Sequence, residues 1–284
     1  MSYLSVTLID VGWGDSILVE ASDPASARPR FALIDSNDNA DRDYWPTWNF
    51  LRKQFGLREG EFKVTRPFFD FIILTHDHSD HGSGLKRLMQ EYGTQRFWYP
   101  KVKEEDSVIV ATLHAYANRA SPPIAHQAVD SSYIPGNLGE TALDFLWPPP
   151  DTIDANPNNN SIVLSLTLNG KTLLLTGDAE GKVWQQIAAR IPETTVAFKV
   201  PHHGSSNGTI YQNGFPWLEK LDTFPTAPHL GISCHPTFPN RFGFPDKRVL
   251  AAFSQRPYPC YETDLHYHIT FTIDQNDFKI KYSH

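Results

Sequence analysis

The 284-residue chain is 40% hydrophobic, 20% charged and 13% aromatic, which excludes disordered and fibrous classes of protein. Its formal charge of −7 provides no overall positive field for nucleic acid, so phosphate binding would need a local patch or bound metal. The two cysteines, Cys234 and Cys260, favour a reducing, cytoplasmic setting over a disulfide framework. We expect a soluble protein without membrane insertion, because we see no signal peptide and no apolar run of the ~20 residues that span a bilayer.

Strand and helix patterns alternate through the first half of the chain. Apolar runs predict strands over "YLSVTLIDVG", "DSILVEAS", "RFALIDSND", "FDFIILT" and "FWYP". Helical spacing of apolar residues predicts helices over "DYWPTWNFLRKQFG", "GLKRLMQEYG" and "EDSVIVATLHAYAN". The stretch "RASPPIAHQ" predicts a loop, because its prolines interrupt both patterns.

The second half repeats this alternation. Strands are predicted over "TALDFLWPPP" and "TTVAFKVPHHGSS", and helices over "EGKVWQQIAARI" and "DKRVLAAFSQ". After a loop at "DTIDANPNNN", the run "SIVLSLTLNGKTLLLTGD" predicts a hairpin that turns at Asn169-Gly170, and the chain ends in an alternating edge hairpin. We therefore predict an α/β fold of two mixed sheets with helices on their outer faces, formed by one domain over residues 1–284.

The stretch "THDHSDHGSG" concentrates side chains that bind metals. His76, His78, Asp80 and His81 directly follow a buried strand. His76 and His78 leave the strand on the same side and can reach one cation. Asp80 and His81, in the following turn, can reach a second cation ~3.5–4 Å away. Imidazoles and carboxylates without a thiolate favour Zn²⁺, with manganese or iron as alternatives, whereas a polar loop that only caps the next helix explains this spacing poorly.

Two later strand ends offer further ligands. Asp178 follows three leucines, a threonine and a glycine in "LLLTGD", where it either bridges two cations or caps the next helix. His202 and His203 follow the next strand in "VPHHGSS". Adjacent residues of an extended chain point to opposite sides, so we expect one of them to bind metal and the other to be a wall residue or a proton donor.

These motifs together resemble those of the metallo-β-lactamase superfamily. The segments "LIDVGWGDSILVE", "ALIDS", "LTHDHSDHGSG", "NNNSIVLSL", "LLLTGDAE" and "FKVPHHGSS" are most similar to its ComEC/Rec2-type branch, with a weaker similarity at "GISCHPTFPNRFGFPDKRVL" and "YETDLHYHITF". That branch includes hydrolase domains attached to DNA-uptake channels and stand-alone relatives. The resemblance implies an αββα sandwich with the site at one edge of the paired sheets.

The resemblance also implies a role for each matching residue. It assigns His76 and His78 to a first metal, Asp80 and His81 to a second, and Asp178 to the bridge between them. It further assigns the residues around these ligands: His203 to the second metal, His202 to a position beside the substrate phosphate, and Asp35 to orienting the histidine loop. Asp10 and Asp15 flank "VGWG" without a clear assignment.

The chain departs from the superfamily pattern in two places. Most of the superfamily has a histidine some twenty residues before the bridging aspartate, where this chain has "NPNNNSIV". There, Asn158, Asn159 and Ser161 are candidates for binding water or a phosphate oxygen, or they form a plain turn before a strand. Ser205 in "PHHGSS" is a further phosphate-binding candidate. Phe244 stands where the branch often has a histidine before a proline, so we expect an altered substrate cleft.

Other polar residues fit the same region less well. His266 and His268 are predicted to lie on one exposed face of a terminal strand, and His229 and His235 are candidates for the border of the cleft. Lys199 either offers a cation to a phosphate or, as the simpler interpretation, extends its amine to solvent from a strand end.

The site predicts a hydrolase with two divalent metal ions, Zn²⁺ in first place and Mn²⁺ as the alternative. Its chemistry would be attack by a metal-bound hydroxide on a phosphodiester such as DNA, with Asp80 holding the hydroxide and His202 protonating the leaving group. Two alternatives stay open: hydrolysis of lactone, thioester or β-lactam bonds, and a non-catalytic, partner-binding subunit of a DNA-processing or defence system.

Overall fold

Two mixed β-sheets lie face to face in the computed structural model, which describes residues 2–103, 107–235, 242–275 and 277–283. The first sheet is formed by β1 (Tyr3–Leu8), β2 (Ile17–Ala21), β3 (Arg30–Ile34), β4 (Phe69–Ile73), β5 (Thr94–Pro100), β6 (Ala125–Val129), β14 (Ile269–Asp274) and β15 (Phe278–Tyr282). The second is formed by β7 (Asn137–Leu138), β8 (Thr141–Trp147), β9 (Val163–Leu168), β10 (Lys171–Leu175), β11 (Thr195–Lys199), β12 (His229–Ile232) and β13 (Cys260–Glu262).

Each sheet combines an antiparallel part with a parallel part. The strand order of the first sheet is β15-β14-β1-β2-β3-β4-β5-β6, and pairing becomes parallel from β3 onward. The order of the second is β13-β12-β11-β10-β9-β8-β7, with parallel pairing from β10 to β13. The carboxyl ends of parallel strands meet at one edge of a sheet, so the loops that leave them collect there.

Helices cover the outer face of each sheet. They are α1 (Pro46–Leu57), α2 (Ser79–Gly82), α3 (Leu85–Tyr92), α4 (Val108–Arg119), α5 (Gly181–Ile187), α6 (Ser206–Thr209), α7 (Pro216–Leu221), α8 (Lys247–Ser254) and α9 (Thr263–His266). Apolar residues of α1, α3 and α4 pack on the first sheet, and those of α5, α7 and α8 pack on the second. A third cluster, with Val19 and Phe71 from one sheet and Phe145 and Leu164 from the other, fills the space between the sheets. This αββα arrangement confirms the predicted fold class.

The hairpin predicted at Asn169-Gly170 is confirmed. Leu168 pairs with Lys171 in an antiparallel register, and the two turn residues have φ of +50° and +70°. Asparagine and glycine tolerate this left-handed backbone better than other residues, which explains the turn.

Three predictions of local structure were wrong or incomplete. The segment predicted as a loop, "RASPPIAHQ", contains the start of β6, which pairs with β5 through its backbone although most of its side chains are exposed. The strands β12 and β13 and the helix α7 were not predicted, because each is too short for a clear period. The predicted helix at "EDSVIVATLHAYAN" begins at Val108 behind the cap Ser107, and its residues 105–106 lie outside the described ranges.

His266 and His268 do not lie on an exposed strand face, as the sequence pattern suggested. His266 ends α9, and His268 precedes β14. The Nδ1 of His268 accepts a hydrogen bond from the Asp10 N–H at 3.0 Å, and its ring packs against Phe50. Within the described ranges, no helix is both long and apolar enough to cross a membrane.

Candidate metal centre

Loops that leave the carboxyl ends of strands from both sheets meet at one edge of the sandwich. Residues 76–81 follow β4, Asp178 follows β10, and His203 follows β11. The Ile162 N–H donates to the Thr75 carbonyl at 2.9 Å, which connects the loop after β4 to the strand that enters the second sheet. Side chains that are far apart in the chain are thereby brought into one site.

Four of the predicted ligands surround a single point. One ligand atom from each of Asp80, His81, Asp178 and His203 lies within 4.8 Å of the other three. Asp178 Oδ2 is 3.3 Å from His203 Nε2 and 3.4 Å from His81 Nε2. Asp80 Oδ2 lies 3.7 Å from each of the same two nitrogens. Two imidazoles and two carboxylates in this arrangement can bind one divalent cation.

His76 and His78 form a second group beside the first. His76 Nε2 is 3.1 Å from His78 Nδ1 and 3.9 Å from Asp178 Oδ2. The same carboxylate oxygen of Asp178 therefore faces both groups of side chains. A bridging carboxylate between two cations requires this position.

The burial of these atoms fits a metal better than a network of protein hydrogen bonds. Among the described residues, the Nε2 atoms of His81 and His203 and the Oδ1 of Asp178 are buried without a hydrogen-bond partner. Buried polar atoms without partners are costly, and native proteins rarely leave several of them together. Neutral imidazole and ionised carboxylate, turned toward one another, are the donor set that Zn²⁺ and Mn²⁺ use.

The pKa values of the histidines in the site are shifted in two opposite directions. Burial lowers the pKa of His76 well below its ordinary value, which favours the neutral, metal-binding form. Burial also lowers the pKa of His203, but the Asp178 carboxylate outweighs burial and raises that pKa to about 9. Burial raises the pKa of Asp178, whereas the charges of His203 and His81 outweigh it and hold that pKa well below its usual range. The charges of the His203 imidazole and the Asp178 carboxylate therefore stabilise each other.

Asp35 holds the ring of His81 in place. Asp35 Oδ2 is 2.7 Å from His81 Nδ1 and also accepts from the Thr75 hydroxyl at 2.6 Å. Its Oδ1 accepts from the Thr75 N–H at 2.7 Å. All three residues are buried. A proton on Nδ1 leaves Nε2 of His81 as the metal-binding atom.

Lys199 is buried behind the site, and the prediction that its amine extends to solvent was wrong. Its Nζ lies 2.6 Å from Asp15 Oδ2 and donates to the Gly177 carbonyl at 3.0 Å. The same atom is 3.9 Å from Asp178 Oδ1. Lys199 therefore lies against Gly177 and Asp178, and it is not among the residues that line the cavity in front of the candidate ligands.

The backbone before Asp178 favours glycine over any larger residue. Gly177 has a φ of +50°, and a Cβ built there would lie 3.0 Å from the Cβ of Ser161 and 3.1 Å from that of Thr75. The Ser161 hydroxyl accepts from the Asp178 N–H at 3.1 Å. The sharp turn and this hydrogen bond together point the Asp178 side chain into the site.

His202 and His203 both have left-handed backbone conformations, with φ of 49° and 54°, and are not extended. Their side chains nevertheless diverge. His203 Nδ1 is 2.9 Å from the Ser233 carbonyl, so its Nε2 faces the ligand group. His202 Nε2 is 3.8 Å from Asp178 Oδ2, and its Nδ1 is 3.6 Å from Glu180 Oε1. Backbone strain of this kind is usually retained only where the surrounding structure requires it.

A cavity of about 430 Å³ opens in front of the ligands and contains the predicted catalytic pair Asp80 and His202. Its remaining walls are formed by Trp13, His78, Ser79, Asn158, Asp178, Glu180, His203, Asn207, Phe242 and Phe244. Trp13, Glu180, Asn207 and Phe242 were missed by the sequence analysis, because none belongs to a metal-binding motif.

Of the four residues predicted to bind substrate, Asn158 lies in the wall of this cavity. Its Nδ2 donates to Glu180 at 3.0 Å, and its buried Oδ1 has no hydrogen-bond partner among the residues that the structure describes. Asn159 lies behind that wall, where its carbonyl accepts from Trp147. Ser161 supports Asp178, and the Ser205 hydroxyl accepts from the Gly208 N–H at the start of α6. The structure therefore gives Asn159, Ser161 and Ser205 internal hydrogen bonds.

The two histidines predicted at the border of the cleft are separated by the fold. His235 lines a small cavity next to Trp13, His203 and Phe244. His229 lies on β12 and stacks on Tyr261, away from the metal ligands. Phe244 lies in the cavity wall, as expected from its position in the sequence, with its ring 5.4 Å from that of His202.

Comparison with known proteins agrees with this geometry. Residues 5–213 match the model of the metallo-beta-lactamase superfamily. ComE operon protein 3 of Bacillus subtilis (strain 168) is 28% identical over 269 residues, an alignment that covers 91% of this chain and 32% of that protein. The chain thus spans about a third of the length of this curated relative.

A solved structure shows the same fold at low sequence identity. Igni18, described as a novel metallo hydrolase from the hyperthermophilic archaeon Ignicoccus hospitalis KIN4/I, is 14% identical and aligns with a TM-score of 0.50. The alignment covers 95% of this chain and 99% of Igni18. With the match over residues 5–213, these comparisons show that the chain belongs to the metallo-beta-lactamase superfamily.

Proposed function

We propose that the chain is a metal-dependent phosphodiesterase that binds two divalent cations, Zn²⁺ or Mn²⁺, and that DNA is among its substrates. One observation carries the proposal: a single oxygen, Asp178 Oδ2, lies 3.3–3.9 Å from an Nε2 atom of each of four histidines, His76, His81, His202 and His203. A carboxylate so placed can bridge two cations while one histidine remains for proton transfer.

The side chains divide into two ligand sets around Asp178. His76 and His78 would hold the first cation, and Asp80, His81 and His203 would hold the second. Divalent cations bound there would lower the pKa of a water molecule and offset negative charge that develops on the substrate. Asp80 lines the cavity, and its carboxylate would orient that water.

His202 is the candidate proton donor. Burial lowers the pKa of His202, so a protonated ring gives up its proton more readily than an exposed histidine does. Its Nδ1 faces the Glu180 carboxylate at 3.6 Å, which favours a proton on that nitrogen. Glu180 is itself fixed by amide donors from Asn156 and Asn158, each at 3.0 Å. This support orients His202 toward a leaving oxygen.

The charges of the cavity wall favour two cations over one. Asp80, Asp178 and Glu180 contribute carboxylates, and no lysine or arginine is among the described residues that line the cavity. An anionic phosphodiester would therefore be repelled unless bound cations reverse the local charge. A phosphodiester substrate is therefore proposed only together with a site that holds two cations.

A protein partner in a DNA-processing system and a cytoplasmic location belong to the same proposal. They are supported by the two free cysteines and by the fact that the chain aligns with about a third of ComE operon protein 3. Co-purification with tagged protein from the source organism would test the partner directly.

The activity is tested with purified protein that is stripped with a chelator and reloaded with Zn²⁺ or Mn²⁺. We expect hydrolysis of bis(p-nitrophenyl) phosphate and cleavage of plasmid or single-stranded DNA only after reloading. Asp80→Ala should abolish both, whereas Asp41→Ala, which removes an exposed carboxylate that does not line the cavity, should leave both unchanged.

Nitrocefin and a simple lactone complete the panel. Hydrolysis of these two compounds alone would replace the phosphodiesterase proposal with hydrolysis of acyl bonds. Stoichiometric metal with no hydrolysis of any substrate would instead support a non-catalytic subunit that binds a partner.

A further inference from the structure

Three aromatic side chains form one wall of the cavity that contains the metal ligands. The rings of Trp13 and Phe242 are 5.7 Å apart, and those of Phe242 and Phe244 are stacked at 5.7 Å with an interplanar angle of 15°. Phe242 is 57% exposed. The wall ends at His202, whose ring is 5.4 Å from that of Phe244. Exposed aromatic rings that continue into a polar site are typical of ligand contacts and not of a core.

The position of Trp13 is tied to the metal-binding loop. Trp13 lies between Gly12 and Gly14, which have φ of 76° and 98°. A Cβ on Gly14 would lie 2.3 Å from the Asp80 carbonyl, and that carbonyl accepts from the Asp15 N–H at 3.2 Å. The Trp13 carbonyl accepts a hydrogen bond from the Asn37 side chain. The backbone that carries Trp13 is therefore fixed against the loop that contains Asp80.

The charges around this wall limit what it can bind. Because the described lining of the cavity includes Asp80, Asp178 and Glu180 but no lysine or arginine, it offers no basic track for a nucleic-acid backbone. Within the described lining, uncharged contacts are therefore the available means of recognition beyond the scissile phosphate. Planar bases stack on aromatic side chains irrespective of their sequence.

We infer that Trp13, Phe242 and Phe244 form a stacking subsite for a nucleobase carried by the phosphodiester that is cleaved. This inference rests on the proposed function and adds a substrate class to it. Nucleoside phosphodiesters bind through both the base and the phosphate, whereas alkyl phosphodiesters have no base to stack on the aromatic wall. The cavity of about 430 Å³ is within the ~300–1,000 Å³ typical of small-ligand sites.

Two esters with the same leaving group test the subsite. In thymidine 5′-(p-nitrophenyl phosphate) and in methyl p-nitrophenyl phosphate, water adds to phosphorus, the P–O bond to p-nitrophenolate breaks, and the water's proton is released. Only the retained group differs. For the metal-loaded protein, we expect Trp13→Ala and Phe242→Ala each to lower kcat/KM for the thymidine ester about 5- to 150-fold, the range of one base–aromatic stack. The methyl ester should change less than about 2-fold.

The conservative variants Trp13→Phe and Phe242→Tyr should retain most of the activity on the thymidine ester. Leu57→Ala removes an apolar side chain that is 74% exposed on α1, and it should leave both esters unchanged. Binding of thymidine 5′-monophosphate, measured by calorimetry, provides a readout that does not depend on turnover. Its Kd should rise about 5- to 150-fold in Trp13→Ala and Phe242→Ala.

The outcomes separate the subsite from the proposed function. Equal losses on both esters, or no loss on either, would overturn the stacking subsite while hydrolysis by the unmodified protein still supports the phosphodiesterase. If the unmodified protein hydrolyses neither ester, the proposed function fails. In that case the monophosphate titration decides the subsite alone: unchanged Kd in both alanine variants overturns it, and the stated rise supports it.

Discussion

The ammonium group of Lys199 lies 2.6 Å from the Asp15 carboxylate, and the two side chains are only 0% and 1% exposed. The pair is enclosed behind the metal ligands, where Lys199 also donates to the Gly177 carbonyl. Asp15 Oδ2 is 3.8 Å from His81 Nδ1, and its Oδ1 is 3.9 Å from His203 Nδ1. The Lys199–Asp15 ion pair thus lies directly behind the imidazoles of His81 and His203.

Removal of one charge of this pair should lower the free energy of unfolding more than removal of both charges. Lys199→Met leaves the Asp15 carboxylate buried without its cation, and we expect a loss of about 3–5 kcal/mol in the free energy of unfolding. Lys199→Met combined with Asp15→Asn should recover at least about 1 kcal/mol, because no buried charge is left unpaired. Urea unfolding of metal-free protein measures both values. Additive losses in the double variant would show that the two charges do not interact.

Asp35→Asn should weaken metal binding without unfolding the protein. An amide cannot accept from His81 Nδ1 and from both donors of Thr75 as the carboxylate does, so the imidazole is less well oriented. Loss of such a supporting carboxylate typically costs about 10- to 100-fold in metal affinity. Competition with a fluorescent chelator measures the change for Zn²⁺. Asp144→Asn, on the exposed side of β8, is the control, and equal affinities for the two variants would contradict the role of Asp35.

The cluster of candidate metal ligands could be predicted from the sequence because each signal is local. Residues 76–81, Asp178 and His203 all stand directly after apolar strands, and their residue types alone indicate metal chemistry. The layered fold followed from the alternation of strands and helices for the same reason. The assignment of these side chains to two cations remains a prediction.

The partners of Lys199, Glu180 and Trp13 could not be predicted, because they depend on how distant segments meet. Lys199 follows an apolar strand and resembles any strand-end lysine until Asp15 is placed opposite it. Glu180 looks like the start of a helix, and only the fold brings His202 to it. Trp13 stands between glycines in a turn, and nothing local indicates that Phe242 lies beside it.

Gly177→Ala should disturb the metal site more than the same change at Gly170. Both glycines have positive φ, of 50° and 70°, so alanine at either position costs about 1–2 kcal/mol in backbone strain. At Gly177 the new Cβ would also contact Ser161 and Thr75 at 3.0–3.1 Å, whereas the space around Gly170 is open. We therefore expect reduced Zn²⁺ affinity only in Gly177→Ala.

Elemental analysis and chelator competition on both variants, with thermal unfolding as a measure of stability, test this expectation. Equal metal affinity in the two variants would show that the turn before Asp178 can shift without moving its carboxylate.

His268 should make the stability of the protein fall in mild acid. Burial, with a smaller effect of the Lys53 charge, lowers the pKa of His268 to about 4, and its unprotonated Nδ1 accepts from the Asp10 N–H. In the unfolded chain the pKa of this histidine is near 6.5. Below that pH, the histidine binds a proton in the unfolded state while it stays unprotonated in the folded state. The contribution of neutral His268 is therefore complete above about pH 6.5 and is lost as the pH falls toward 4.

The size of the effect follows from the difference between the two pKa values. It corresponds to at most about 3 kcal/mol in the free energy of unfolding between pH 7 and pH 4. His268→Asn keeps an acceptor near the Asp10 N–H but does not titrate, so its stability should change less over this range than that of the unmodified protein. Urea unfolding of metal-free protein at several pH values measures the difference. Parallel pH profiles for the two proteins would show that His268 is protonated equally in the folded and unfolded states.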